Sequence, residues 1–245
     1  MKSIHQNTAR FLALCVVLFI SVNAVQAKKN IEHRHSITPM LGLANNATTP
    51  FSISPNPMLK IDYVNGDNMR IPVSLRYQYR MSHGNRLGID FLGNHNPMYV
   101  KPSFYMKDIG YVGPSVINHK SAMFGADIHY SKTIDIKIIK AFGFIGIGGY
   151  FQEPDNSLTA DYTWYKNAAP EFYEFAVAAS NNTVKRFMPI TTFGFGARFK
   201  HLEGGLNYQY SLVSPVNAFE YQGIRFNNNM RFRSVGYYIA YRFEF

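Results

Sequence analysis

The sequence predicts an all-β fold, a transmembrane antiparallel up-and-down β-barrel, with eight strands favoured over ten. Three observations predict it. An amphipathic alternation runs to the last residue in "SVGYYIAYRFEF", the same period of two recurs at strand length along the chain, and the connections between strands alternate between short and long.

Before the first strand, residues 1–27 read as a cleaved secretory signal peptide. Lys2 and Arg10 supply a positive region, "FLALCVVLFISV" an apolar core too short to span a bilayer, and "AVQA" a small-residue cleavage site ending at Ala27. Cys15 is the only cysteine and leaves with the signal, so thiol chemistry and disulfides are excluded from the mature chain 28–245. "LALC" hints at lipoprotein processing, but the apolar run continues past that cut to Ile20. Losing Lys2 and Arg10 takes the net charge from +10 to +8. No later segment approaches a transmembrane helix, and a closed barrel is the one other structure that satisfies its backbone within a bilayer.

The first strand, "HSITPMLGLA" (35–44), alternates weakly. The second, "MRIPVSLRYQYRM", is the clearest: Met69, Ile71, Val73, Leu75, Tyr77, Tyr79 and Met81 make one face, and Arg70, Ser74, Arg76, Gln78 and Arg80 the other. "RLGIDFLG" sets Leu87, Ile89 and Phe91 against Arg86, Gly88 and Asp90. "SAMFGADIHYS" sets Phe124, Ile128 and Tyr130 against Met123, Asp127 and His129. The fifth strand, "KAFGFIGIGGYF" (140–151), has its facing blurred by glycines. The sixth, "RFMPITTFGFGARFK", sets Phe187, Phe193, Phe195 and Phe199 against Arg198, and the seventh, "LNYQYSL", sets Leu206, Tyr208 and Tyr210 against Asn207 and Gln209. The eighth strand closes the chain, with Val235, Tyr237, Ile239, Tyr241, Phe243 and Phe245 on its apolar face.

The connections at 82–85, 132–139 and 201–204 are short, and those at 45–68, 94–118, 152–184 and 214–229 are long. That layout predicts periplasmic turns and external loops, with both termini on the periplasmic side. Descending strands finish outward near Tyr79, Tyr130, Phe199 and Phe245, an aromatic girdle at one interface. "MLKIDYVNGDNMRIPV" holds an Asn65-Gly66 turn between alternating runs. It predicts either a hairpin extension above the membrane or two further staves of a ten-strand barrel. "MYVKPSFYM", within 94–118, is open in the same way.

The terminal "YRFEF" carries aromatics at Tyr241, Phe243 and Phe245 and resembles the carboxy-terminal signature of bacterial outer-membrane barrels. The resemblance implies recognition of these three residues by the barrel-assembly machinery. The eight-strand plan looks like the small OmpA/OmpX/OmpW-type barrels over essentially the whole mature chain, without the peptidoglycan-binding domain that follows the barrel in OmpA.

The polar faces point into the lumen and predict a charge network of Arg76, Arg80, Arg86, Asp90, Asp127, His129, Arg198, Arg242 and Glu244. Eight strands leave room only for side chains, so this network should plug the barrel, with Arg76 or Arg80 paired to Asp90. The alternative is a narrow pore for anionic or amphipathic solutes, lined by the arginine excess. Asp127-x-His129 invites a catalytic reading, but both residues point inward. No outward Ser–His pair of the kind the barrel deacylases and phospholipases use is visible, so no catalytic residue is assigned. His33 and His35, beside Glu32, share a strand face but offer two metal ligands at most, so no metal site is assigned. "GFIGIGGYF" lacks nucleotide-loop spacing, and its glycines predict bending or close packing inside a tight barrel; no cofactor is expected.

The loop 152–184 is the longest and carries Tyr162, Trp164 and Tyr165. Its aromatics either contact a partner or fold down over the barrel mouth, and "APEFYEFAVAAS" predicts a short helix opening at Pro170. The expected protein is thus a monomeric integral outer-membrane barrel of a Gram-negative envelope. Its role is structural or in surface recognition through the loops, and lipid-modifying catalysis is the least favoured reading. The expected partners are outer-membrane lipid, lipopolysaccharide whose phosphates meet the rim Lys and Arg, the assembly machinery and an unassigned surface ligand. Nucleic acid is excluded by compartment. The main rival fold, a secreted lipocalin-like barrel, calls for apolar inward faces, the reverse of Arg76 and Asp90.

Overall fold

The computed structural model describes residues 34–65, 69–82, 84–113, 117–153, 161–180 and 184–245. The signal peptide, Glu32, His33 and Gly66 lie outside those residues. In chain order the strands are β1 (His35–Thr48), β2 (Phe51–Asn56), β3 (Leu59–Asn65), β4 (Met69–Arg70), β5 (Val73–Ser82), β6 (Asn85–Met106), β7 (Gly110–Val112), β8 (Ile117–Ile136) and β9 (Ile139–Glu153). Helices α1 (Asp161–Ala168) and α2 (Pro170–Ser180) follow, then β10 (Phe187–Phe199), β11 (Leu202–Ser211), β12 (Phe219–Tyr221), β13 (Ile224–Phe226), β14 (Phe232–Tyr241) and β15 (Phe243–Glu244).

Eight of these strands close on themselves. β1 pairs with β5, and the antiparallel ladder then passes through β6, β8, β9, β10 and β11 to β14, which pairs back with β1. The seam is sealed at the last residue, where His35 and Phe245 exchange both backbone hydrogen bonds at 3.0 Å. One circuit of paired residues runs His35, Tyr79, Leu87, Tyr130, Ile145, Phe193, Tyr208, Val235 and returns to β1 at Asn45. The stagger is therefore ten residues over eight strands. With ordinary strand spacings it sets a tilt of about 41° and a backbone radius of about 8 Å. Side chains of ordinary length reach the axis from every stave.

Facing follows the predicted parity. Phe124, Ile128, Ile145, Ile147, Phe193, Phe195, Tyr237 and Ile239 stand outward and exposed, while Met123, Asp127, His129, Thr192 and Gln209 are buried within. On β10 the exposed aromatics run from Phe187 to Phe199, a rise of about 30 Å along the axis at this tilt. At the end with the short turns, Tyr79, Phe199 and Phe245 lie within about 6 Å of one another along the axis, and Tyr130 about 6 Å higher.

Three details correct the sequence reading. The hairpin expected at Asn65-Gly66 forms one step earlier, between β2 and β3. There Asn56 Oδ1 accepts the N–H groups of Met58 and Leu59 at 2.8 and 2.9 Å, and the side chain itself makes the turn. β3 then pairs with the far half of β6, so the hairpin extends the sheet above the barrel and adds no stave. The "loop" 94–118 is mostly strand, because β6 runs unbroken to Met106 and β8 begins at Ile117. Phe243, expected outward and exposed, is buried. The β14 ladder ends before Arg242, whose N–H goes to His201 O, and the Tyr241 ring covers Phe243 at 4.7 Å between centroids.

The long connections build a cap with a core of its own. Phe172, Phe175, Ala176 and Ala179 form the buried stripe of α2 at helical spacing and pack with Ile53, Leu59, Ile61, Tyr63, Val100, Phe219 and Tyr221. Tyr165 joins it edge-on to Phe104 and Phe172. The covering alternative for the loop aromatics therefore holds for Tyr165. The side chains of Tyr162 and Trp164, on α1, lie outside the described residues.

Candidate functional site

The lumenal side chains stack in three layers. In the layer nearest the short turns, Arg242 is the hub. It donates to Gln78 Oε1 and Glu203 Oε1 at 2.9 Å, to Ser36 Oγ at 2.6 Å and to Glu244 Oε1 at 2.9 Å. Arg198 reaches Glu244 at 3.2 Å and Glu203 at 3.5 Å, and Arg86 reaches Glu244 at 3.3 Å. Arg80 lies half-buried on the same face near the rim and stands opposite Arg86. The predicted pairing resolves in favour of Arg76, whose Nε and Nη2 grip the Asp90 carboxylate in a fork of two 2.8 Å bonds.

The middle layer holds this pair with Asp127 and His129. The Arg76 guanidinium also lies 4.3 Å from the centroid of the Phe144 ring. Thr192 Oγ1 donates to Asp127 Oδ2 at 2.9 Å. Because Arg242 fixes the Gln78 amide by donating to its Oε1, the Gln78 NH2 faces His129 Nε2 at 3.0 Å and donates to it. The imidazole proton is thereby placed on Nδ1, toward Asp90 and Asp127. Glycine makes the layer fit: a Cβ at Gly88 would stand 2.5 Å from His129 Nε2, and one at Gly148 2.5 Å from the Asp127 Cβ. The close-packing role predicted for "GFIGIGGYF" is found at Gly148.

The upper layer is apolar. Leu92, Met123, Tyr150, Met188, Ile190 and Phe232 close the lumen below the cap, and Tyr150 OH donates to Gln209 at 2.8 Å. Beside it a small cavity is lined by Met40, Ser74, Asn94, Asn207 and Tyr238. In the cap above, burial pushes the Tyr63 phenol well above its ordinary range.

Seven of the nine predicted network residues are brought into these layers by buried side chains, Glu244 reaches them half-exposed, and Arg80 sits at the edge. Sequence reasoning missed Glu203, Gln78 as a bridge, Ser36 and Thr192. Glu203 changes the charge count. Among the described residues, Arg76, Arg86, Arg198 and Arg242 face Asp90, Asp127, Glu203 and Glu244, so the buried layers are balanced and the expected arginine excess is reduced to Arg80 near the rim. The residue was hidden because 201–204 was read as turn, whereas β11 begins at Leu202. Its inward parity with Asn207, Gln209 and Ser211 was the available signal. His35, considered as a metal ligand, instead stacks on Phe245 and bonds Tyr77 OH at 2.7 Å.

No family model matches the sequence, and no curated protein matches it. Among solved structures the chain is similar to OprG, an outer-membrane protein of Pseudomonas aeruginosa, at 9% identity over 87% of this chain and 97% of that one, with TM-score 0.47. It is similar to Neisserial surface protein A at 10% identity over 86% and 97%, TM-score 0.42. It is also similar to Ail, the attachment invasion locus protein of Yersinia pestis, at 11% identity over 87% and 100%, TM-score 0.35. At these identities the likeness is one of barrel architecture and carries nothing about activity.

Proposed function

We propose that this chain is an integral barrel of a bacterial outer membrane, sealed along its lumen, that anchors and presents the loop-built cap at the cell surface. The membrane reading is supported by the outward belt of exposed Phe, Ile and Tyr, which water would not tolerate at such a height around a closed wall. The observation that carries the sealed reading is the filled lumen. Among the described residues, four arginines and four carboxylates occupy a barrel of about 8 Å backbone radius beneath an apolar layer, a filling that disfavours conduction.

The reading assigns no catalytic step. His129, Asp127 and Thr192 have hydrogen-bonding geometry but are enclosed on all sides, away from any substrate. Aromatic residues Tyr79, Phe199 and Phe245 would sit at the periplasmic interface with Tyr130 farther into the belt, and Arg233, exposed near the opposite rim, is positioned for lipopolysaccharide phosphates. Tyr241, Phe243 and Phe245 would serve assembly, after cleavage of the signal near Ala27. The test is fractionation with surface proteolysis. The chain should stay in carbonate-washed outer membranes, and protease added to intact cells should cut only within the cap connections. Release by carbonate would overturn the membrane reading, and cutting at the short turns from outside would overturn the orientation.

A further inference from the structure

The middle layer contains a feature that sealing alone does not require. One ligand atom from each of Asp90, Asp127 and His129 lies within 4.8 Å of those of the other two. His129 Nδ1 lies 3.5 Å from the Asp90 oxygen and 3.4 Å from the Asp127 oxygen. Asp127 Oδ1 and His129 Nδ1 are buried with no hydrogen-bond partner, on side chains about as buried as any in the chain. Leaving such atoms unsatisfied is costly, and both point at the same place.

We propose that these three side chains form a binding site for one divalent transition-metal cation of the zinc type. The two separations from His129 Nδ1, 3.5 and 3.4 Å, fit that ion. Bonds of about 2.0–2.1 Å at tetrahedral angles separate neighbouring ligand atoms by about 3.3–3.4 Å. Octahedral magnesium at the same bond length needs about 2.9 Å, and calcium prefers a set of oxygens alone. The surroundings are those of oriented ligands. Thr192 holds Asp127 by Oδ2 and leaves Oδ1 free, while Arg76 fixes Asp90. Charge agrees as well: Arg76 answers one of the two carboxylates in this layer, and among the described residues the second pairs with no Lys or Arg and has only His129 beside it. Binding at Nδ1 takes the other neutral tautomer: the one ring proton moves from Nδ1 to Nε2, with no net proton lost. The Gln78 amide must then turn over to present its oxygen, giving up the bond its Oε1 accepts from Arg242. Gln78→Glu offers a carboxylate oxygen in either orientation.

The site is closed above by Met123, Met188 and Phe232 and below by the Arg242 layer, so loading accompanies folding. The experiment uses the untagged mature chain, refolded in detergent with Co2+ and then desalted. Folding is confirmed by the heat-modifiable gel shift, and binding is read by metal analysis and visible absorption. The expected result is one cobalt per folded chain with a tetrahedral d–d band. The metal should be lost in Asp127→Asn and His129→Gln, unchanged in His35→Gln, and retained longer against chelator in Gln78→Glu. Folded wild-type chain without cobalt would overturn the proposal, and so would cobalt that survives both Asp127→Asn and His129→Gln. The assay reads the site whether or not the barrel conducts, so its failure leaves the sealed-lumen reading standing.

Discussion

Asp90→Ala is the most informative single substitution. It removes both acceptors of the Arg76 fork at 2.8 Å, and the side chains of this pair are 2% and 1% exposed. The guanidinium is buried, with the Phe144 and Tyr238 rings 4.3 and 6.0 Å from it, and Phe144 offers only a ring face. Breaking one partner of a buried pair leaves an uncompensated charge at about 3–5 kcal/mol. The other lumenal carboxylates are already engaged, Asp127 Oδ2 by Thr192 and Glu203 by Arg242 and Arg198, so little compensation is at hand. Replacing both partners, as in Arg76→Met with Asp90→Leu, removes the charge as well and should recover most of that loss. The assay is equilibrium urea unfolding of the refolded barrel in detergent with chelator present, followed by tryptophan-independent far-UV signal and gel shift. A loss under about 1 kcal/mol for Asp90→Ala, or a double variant no better than the single, would refute the claim that this pair is a buried, tightly coupled unit.

The remaining predictions are quicker to state. Gly88→Ala sets a methyl carbon 2.5 Å from His129 Nε2 and should lower barrel stability by about 1–3 kcal/mol, read by the same urea titration. Ile147→Arg, on the outer face near the middle of the belt, should cost about 2–4 kcal/mol in lipid vesicles. Placed instead near the rim, at Phe187, the same arginine should cost about 0–1 kcal/mol. Phe175→Ala empties the centre of the cap core, at a cost of about 3–5 kcal/mol confined to the cap. Limited proteolysis should then cut the cap early while the barrel gel shift persists.

The staves were legible because a wall with lipid-like surroundings outside and polar filling inside writes its facing into every second residue. Met69 to Met81 and Phe187 to Phe199 show this most plainly, and the aromatic end at Phe245 fixed the last stave. What stayed hidden had a tertiary cause. The continuation of β6 past Asn94 is stabilised by β3 and by the cap core, partners far away in sequence, so its local pattern reads as loop. The Asn65-Gly66 signal outweighed "NPM", although Asn56 makes the turn with its own side chain. Glu203 was concealed by a turn drawn too long, and with it the charge balance of the lumen. Convergence of Asp90, Asp127 and His129 depends on the register of β6 against β8, where Asp90 stands opposite Asp127. Strand parity gives the shared face and leaves that register open.

The sealed lumen is the central claim, and single-channel recording tests it most directly. Mature chain, shown folded by its gel shift, is inserted into a planar bilayer and held at voltages of both signs. The account predicts a silent membrane in wild type. Reproducible, voltage-independent conductance steps from the same folded preparation would contradict it and make Arg76, Arg86, Arg198 and Arg242 the lining of a pore.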